Sequence, residues 1–194
     1  MKARRDQQAF DQADKVLSGL HQLEQRGELN VFYFDESGVS LTPVVPYAWQ
    51  PINETLELPA FSHPRVNLLG FMNRAHDFYH TTVEGWVNSQ TVIAAIDEFI
   101  ERLDSDLPTV VVLDNASIHT SAEVLAQRDR WLARGLILYY LPTYSPELNL
   151  IEILWRKLKY EWLPFSAYLS FSALKKAIAE VVDNIGKKYH ITFV

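Results

Sequence analysis

A mixed α/β fold is predicted by the order of the elements. An amphipathic helix leads into strands punctuated by turns, and buried strands then alternate with helical segments. Strands separated only by turns pair antiparallel, whereas strands separated by helices pair in parallel through crossovers. The expected product is one α/β domain over residues 1–194, a mixed sheet flanked by helices. Residues 1–29 form an N-terminal helix and 30–194 the core.

Residues 5–27 set Phe10, Ala13, Val16, Leu17, Leu20 and Leu23 among charges at helical spacing, and Gly27 closes that helix. VFYFDES (31–37) reads as a strand running into acid, with Asp35 at its end. Residues 38–64 hold five of the nine prolines and read as turns and short hairpin strands. VNLLGFMN (66–73) and DFYHTTVEG (77–85) pair around a turn at Asn73–His76. Residues 89–103 read as a helix capped by Ser89. TVVVLD (109–114) is a buried strand, since its β-branched run has no polar face to give to water. Thr120-Ser121-Ala122-Glu123 fits a capping box that starts a helix running to Arg134, with Gly135 after it. LILYYL (136–141) is the next strand. Ser145 then caps a helix from Pro146 to Trp162, with Ile151, Leu154, Trp155, Leu158 and Trp162 on its apolar stripe. Pro164 stops it. A last helix covers 171–187, and HITFV reads as a terminal strand.

Composition narrows the class. The chain is 48% hydrophobic and 22% charged, enough for a real core and far from a disordered composition. It has no cysteine, so any metal must be held by oxygen or imidazole. No apolar run is long enough to span a membrane, and MKARRDQQAFDQ is too polar for a signal peptide, so a cytoplasmic setting is expected. The net charge is −6, but residues 153–194 carry about +4 and the rest about −10. An acidic body with a basic tail suits a dense carboxylate site, or simply a solvated surface.

Three carboxylates stand out by position: Asp35 and Asp114 at strand ends, and Glu152 on the helix after the last strand. In an open α/β sheet the site forms at the carboxyl ends of strands. Carboxylates gathered there repel one another and call for a hard cation with oxygen ligands. Each acid also has an ordinary reading, as a turn former or a solvated helical residue. Glu152 lies beside the apolar stripe next to Leu148 and Trp155. Glu147, about 140° round the helix axis, falls in the first turn, where it complements the helix dipole. Glu36 should face away from Asp35 if the strand continues. His119 either orients a water or a phosphate, or is a loop histidine bonded near Thr120. Asn115 and Ser117 are turn residues or support Asp114. Trp49 packs on the sheet or touches DNA. Lys159, on the same helix side as Glu152, is a phosphate-contact candidate or a solvated lysine.

FYFDESG, LDNASIHTS and YSPELNLIEILWRKLK, in that order, resemble the catalytic domain of mariner-superfamily transposases, with the bacterial IS-six-thirty group as the nearest branch. SLTPVVPYAW, VNLLGFMN and the closing YHITF extend the resemblance over nearly the whole chain. One departure is Asn149-Leu150-Ile151-Glu152, where the family usually has Asn-Pro-Ile-Glu. The resemblance implies a ribonuclease H-like fold and a catalytic, metal-binding triad of Asp35, Asp114 and Glu152. It implies two divalent ions, Mg²⁺ or Mn²⁺, and cleavage of transposon-end DNA followed by joining to target DNA. The partners it implies are double-stranded DNA (terminal inverted repeats and target) and a second copy on that DNA. Such transposases also carry helix-turn-helix domains, for which this chain has no room, so a separate DNA-binding half is one expected partner. Two other expectations compete: a nuclease that cuts without transposing, and a decayed or domesticated remnant that only binds DNA or protein.

Overall fold

The computed structural model describes residues 5–42 and 65–192. Helix α1 (Gln7–Gln25) begins where the Asp6 carboxylate accepts the Ala9 N–H at 3.1 Å. It ends before Gly27, whose φ of +70° is one that glycine adopts without strain. Strands β1 (Asn30–Ser40), β2 (Arg65–Met72) and β3 (Phe78–Glu84) form an antiparallel meander. Helix α2 (Ser89–Arg102) crosses to β4 (Thr109–Leu113), which lies parallel to β1. Two short helices, α3 (Ala122–Leu125) and α4 (Arg128–Leu132), cross to β5 (Leu136–Tyr140), parallel to β4. Helices α5 (Ile151–Lys157) and α6 (Phe171–Val182) follow. The sheet order is β3-β2-β1-β4-β5, antiparallel on one side of β1 and parallel on the other, as the sequence predicts.

Period-two alternation sends each strand's side chains to two separate cores. Val31, Tyr33, Val66, Leu68, Val110 and Val112 pack with α1, α5 and α6. Phe32, Phe34, Leu69, Phe71, Val111 and Leu113 pack with α2, Val124 of α3 and Trp131 of α4. The buried β4 run noted in the sequence is thus buried on both faces, as a central parallel strand must be.

Several boundaries differ from the sequence reading, each for a tertiary reason. β1 does not end at Asp35; β2 gives it antiparallel partners as far as Ser40–Arg65. The cap of α2 is Asn88, one residue before Ser89. Its Oδ1 accepts the Thr91 N–H at 3.0 Å, and the Thr91 hydroxyl accepts the Asn88 N–H. The single helix expected over 120–134 is divided at Ala126–Gln127. Ser121 caps its first part, while the Thr120 hydroxyl donates to the Ala116 carbonyl. The second part is fixed separately, by the Trp131 Nε1–H donating to Asp97 at 2.8 Å.

The helix expected from Pro146 to Trp162 is broken as well. Pro146–Leu148 is one 3₁₀ turn, Asn149 is extended (φ −96°, ψ 96°), and α5 starts at Ile151. Ser145 donates its hydroxyl to Thr143 rather than capping. The helix after α5 widens into a π turn over Leu158–Trp162 before Pro164. α6 stops at Val182 because the chain turns back through Gly186, with the Lys187, Lys188 and Tyr189 N–H groups on the Asn184 carbonyl. Residues 190–192 form no strand; the Ile191 carbonyl instead lies 2.7 Å from His76 Nε2. The turns and hairpin strands expected after Thr42 lie outside the described residues.

Gly70 of β2 is paired with Asp35 on one side and His80 on the other. A Cβ built at Gly70 would lie 2.8 Å from the Trp155 indole and 2.9 Å from the Phe78 ring. The missing side chain is what lets α5 lie down on the sheet beside Asp35. Gly70→Ala is therefore expected to lower the stability of the domain by about 1–3 kcal/mol through overpacking. Urea denaturation checks this, and an unchanged midpoint would contradict it.

Candidate active site

The parallel pairing of β1 with β4 ends at Tyr33–Val112. Asp35 lies two residues beyond that pair on β1, and Asp114 follows the last residue of β4. Both acids therefore lie at the carboxyl end of the sheet's parallel half, Asp35 still paired with β2. The third acid is delivered by α5. The Asn149 side-chain amide donates to the Phe34 carbonyl at 3.1 Å, tying the start of α5 to β1 one residue before Asp35. One turn on, Trp155 rests on Gly70. Glu152 lies between these two fastenings, in the first turn of α5 rather than deep in a long helix. Glu147 sits in the preceding 3₁₀ turn and reaches Arg5 at 3.5 Å. Leu150 has φ −60°, the angle a proline ring imposes, so the leucine leaves the local backbone as a proline would set it.

The acids feel one another. Burial, then the charges of Glu36, Glu152 and Asp114, push the Asp35 carboxyl up to about 8. The protein around Glu152 raises its carboxyl too; Lys159 opposes this, and Asp114 and Glu36 add to it. Burial and Arg65 lower Lys159, while Glu152 and Asp35 work to keep it charged. Lys159 is thus on the Glu152 side of its helix, as its spacing predicts.

Asp114 behaves differently. Burial pushes its carboxyl up, but the His119 ring and the Ala116 N–H outweigh this and leave it below its ordinary value. Both bonds fall on Oδ1, from His119 Nδ1 at 2.7 Å and from Ala116 N–H at 3.0 Å. The second is an Asx turn, so the turn-forming reading of Asp114 is also true. Oδ2 takes no part in either bond.

His119 is fully buried, and its other nitrogen lies 2.9 Å from Glu36 Oε2. Burial lowers its pKa, yet the hydrogen bonds to Asp114 and Glu36 and their charges lift it to about 10. A neutral imidazole has one N–H; two carboxylates on two ring nitrogens call for the cation. Of the alternatives left open by the sequence, neither describes it: His119 is not held at Thr120, and its ring nitrogens face two carboxylates. Glu36 faces away from Asp35, as strand alternation requires. Its link to His119 was not legible in the sequence, because the two residues are far apart in the chain.

Asn115 and Ser117 are exposed on the loop after β4. Asn115 borders a cavity of about 400 Å³ together with Asp114, Tyr144, Asn149 and Glu152. A second cavity of about 480 Å³ runs along α5, past Glu152, Trp155, Arg156, Lys159 and Tyr160. Asn149 borders both, and its buried Oδ1 has no hydrogen-bond partner among the described residues. Sequence reading did not single Asn149 out, although it stands in the Ser-Pro-acid-Leu-Asn turn. Trp49 lies outside the described residues. Among the described residues, no three His, Asp or Glu side chains are gathered closely enough to enclose an ion by themselves. No helix among them is long and apolar enough to cross a membrane.

Solved structures of similar fold include transposase structures. The catalytic domain of Mos1 mariner transposase is 14% identical, with a TM-score of 0.60 over 94% of this chain and 85% of that one. The Mos1 strand transfer complex is 16% identical, with a TM-score of 0.61 over 95% of this chain. This chain spans 58% of the Mos1 chain in that complex. A Mos1 paired-end complex with Mn gives 14% identity and a TM-score of 0.61, over 93% of this chain and 56% of that one. At such identities the likeness is one of fold, and the fold is ribonuclease H-like. No curated protein sequence matches the chain. The family model described as DDE superfamily endonuclease matches residues 30–175, from the first residue of β1 into α6, and the chain belongs to that family.

Proposed function

We propose that this chain is the catalytic domain of a DNA transposase of the mariner superfamily, of the bacterial IS-six-thirty group. It cleaves transposon-end phosphodiesters and transfers the freed strand to target DNA. The observation that carries this reading is geometric: Asp35 and Asp114 stand at the carboxyl end of the parallel strands, Asp114 and Glu152 line one cavity, and Asn149 ties the start of the Glu152 helix to Phe34, next to Asp35.

The donor set suits hard divalent ions. It is all carboxylate oxygen, with the Asn149 Oδ1, unpartnered among the described residues, beside it, and its like charges are costly without a cation. Asp35, Asp114 and Glu152, which do not enclose an ion as they stand, would draw in to hold two Mg²⁺ or Mn²⁺ ions. When bound, such a pair activates the attacking oxygen and stabilises the leaving oxygen of a phosphodiester. Asp114 offers Oδ2, since Oδ1 is engaged by His119 and Ala116. Asp35 gives up the proton that its surroundings favour. Lys159 supplies a cation for a DNA phosphate next to Glu152, and Asn115 lines the same recess. Trp49 is retained as a DNA-contact candidate. The substrates proposed are double-stranded terminal repeats and target DNA, bound by a dimer.

Asp35→Asn, Asp114→Asn and Glu152→Gln should each abolish Mg²⁺-dependent cleavage and keep the fold. Glu147→Gln, which loses only a half-exposed contact to Arg5, should leave cleavage largely intact. A gel assay on terminal-repeat DNA, with and without an added DNA-binding half, reads this. Cleavage by the three acid variants would overturn the assignment. No cleavage by the unaltered chain under any of these conditions would favour the decayed-remnant reading.

The burial of Asp35, together with the neighbouring charges, has a second consequence. Asp35 holds its proton more tightly when folded, up to about 8 against 3.8, so its contribution to stability is lost as pH rises through that interval. Without metal, Asp35→Asn should melt above the unaltered protein at about pH 8. The gap should narrow as pH falls towards 4, at roughly 2–4 °C per kcal/mol for a chain of this size. A variant that melts lower at pH 8 in a metal-free scan would contradict this.

DNA affinity should be weak for this chain alone. With a net charge of −6, it is led by the basic residues after position 153, and binding should fall steeply as salt rises. Tight, sequence-specific binding at physiological salt in a mobility-shift assay would contradict this.

A further inference from the structure

We propose that Glu36 is a positioning residue for Asp114, acting through His119 to hold one carboxylate oxygen so that the other faces the recess. This rests on the reading of Asp114 as a metal ligand given above.

β1 carries two acids in succession, and strand alternation sends them to opposite faces. Asp35 shares its pairing level with Gly70, on which the Trp155 indole lies. Glu36 shares its level with Leu69, in the core of the other face. There it meets His119, whose side chain has no exposed surface. The ring is fixed on every side that matters. Phe34 meets its face edge-on, with centroids 5.4 Å apart. The Tyr140 hydroxyl donates to the His119 carbonyl at 2.9 Å. Nε2 and Nδ1 lie 2.9 Å from Glu36 and 2.7 Å from Asp114.

The exposures show the direction of support. The Glu36 side chain is 26% exposed and that of Asp114 is 52% exposed. The more enclosed acid anchors the ring, and the ring holds the more open one. Asp114 stands on a loop past the end of β4, so ladder bonds do not fix its side chain. Without a partner on Nε2, the imidazole would be free to turn its N–H away from Asp114. A ligand's outer partners orient it in this way in metal sites, where their loss costs about 10- to 100-fold in metal affinity.

The test compares Glu36→Ala with Glu36→Gln. A glutamine oxygen can still accept from His119, but a glutamine is a poor substitute for a ligating carboxylate. Calorimetric titration with Mn²⁺ should show affinity falling about 10- to 100-fold in Glu36→Ala and largely recovered in Glu36→Gln. Equal losses in both variants would make Glu36 a charge or a ligand, and would overturn the proposal. So would a lowered melting temperature with unchanged Mn²⁺ affinity, which is the mark of a purely structural residue. Crystal structures of both variants decide the geometry without metal. Asp114 should leave its bond to His119 in Glu36→Ala and keep it in Glu36→Gln; an undisturbed bond in Glu36→Ala overturns the proposal. If the unaltered chain fails to bind Mn²⁺, the metal reading falls, and these two structures still decide the positional claim.

Discussion

Like charge crowded at one end of a sheet is the constraint that the surrounding structure answers. Burial and the charges of Glu36, Glu152 and Asp114 raise the cost of ionising Asp35. Burial with Asp114 and Glu36 does the same to Glu152, against Lys159. Asp114 escapes through its bonds to His119 and Ala116. A chain holds such a cluster only where other interactions fix the backbone that carries it. Here each acid has its own fastening. Asp35 is held by ladder pairing with β2. Glu152 is held by the Asn149 bond to Phe34 and by Trp155 on Gly70. Asp114 is held by an Asx turn and by His119.

The two faces of the sheet divide this work. On one face, α5 packs with α1 and α6 over Val31, Tyr33 and Val112, and it brings Glu152, with Lys159 from the π turn that follows, to the recess. On the other, the aromatic cluster of Phe32, Phe34, Phe71 and Phe99 forms the wall against which His119 is sealed. The stacked Phe71 and Phe99 rings, 4.2 Å apart, extend that wall into α2. β1 belongs to both cores and carries an acid towards each. A buried imidazolium between two carboxylates also gives the site a fixed positive charge. It neutralises part of the acid cluster from within the fold, and Lys159 does so from the rim.

Membership of the DDE superfamily endonucleases and the mariner-like fold agree with this local chemistry. The fold alone would not make the chain an enzyme, since function resides in sites rather than in architectures. The weight lies on the three acids and on the number of separate contacts that hold their backbone. An acidic body suits a domain that gathers carboxylates, and the net positive charge falls on residues 153–194, from the helix that carries Glu152 onward.

By itself the sequence determined the element order, the mixed sheet and the two strands that lead to Asp35 and Asp114. Those features are local: β-branched runs, helical periodicity and turn residues act over a few positions. It also marked Glu152 over Glu147, by its place beside the apolar stripe at Trp155 and by the family motif, but the single helix from Pro146 on which the two were compared does not exist. Glu152 is in fact in the first turn of a new helix, because Asn149 breaks the chain to bond Phe34. Tertiary structure alone decided that break, the continuation of β1 past Asp35, and the partnership of Glu36 with His119. Each depends on a partner distant in the chain, and no local pattern of residues can announce a contact whose other half is supplied by the closed fold.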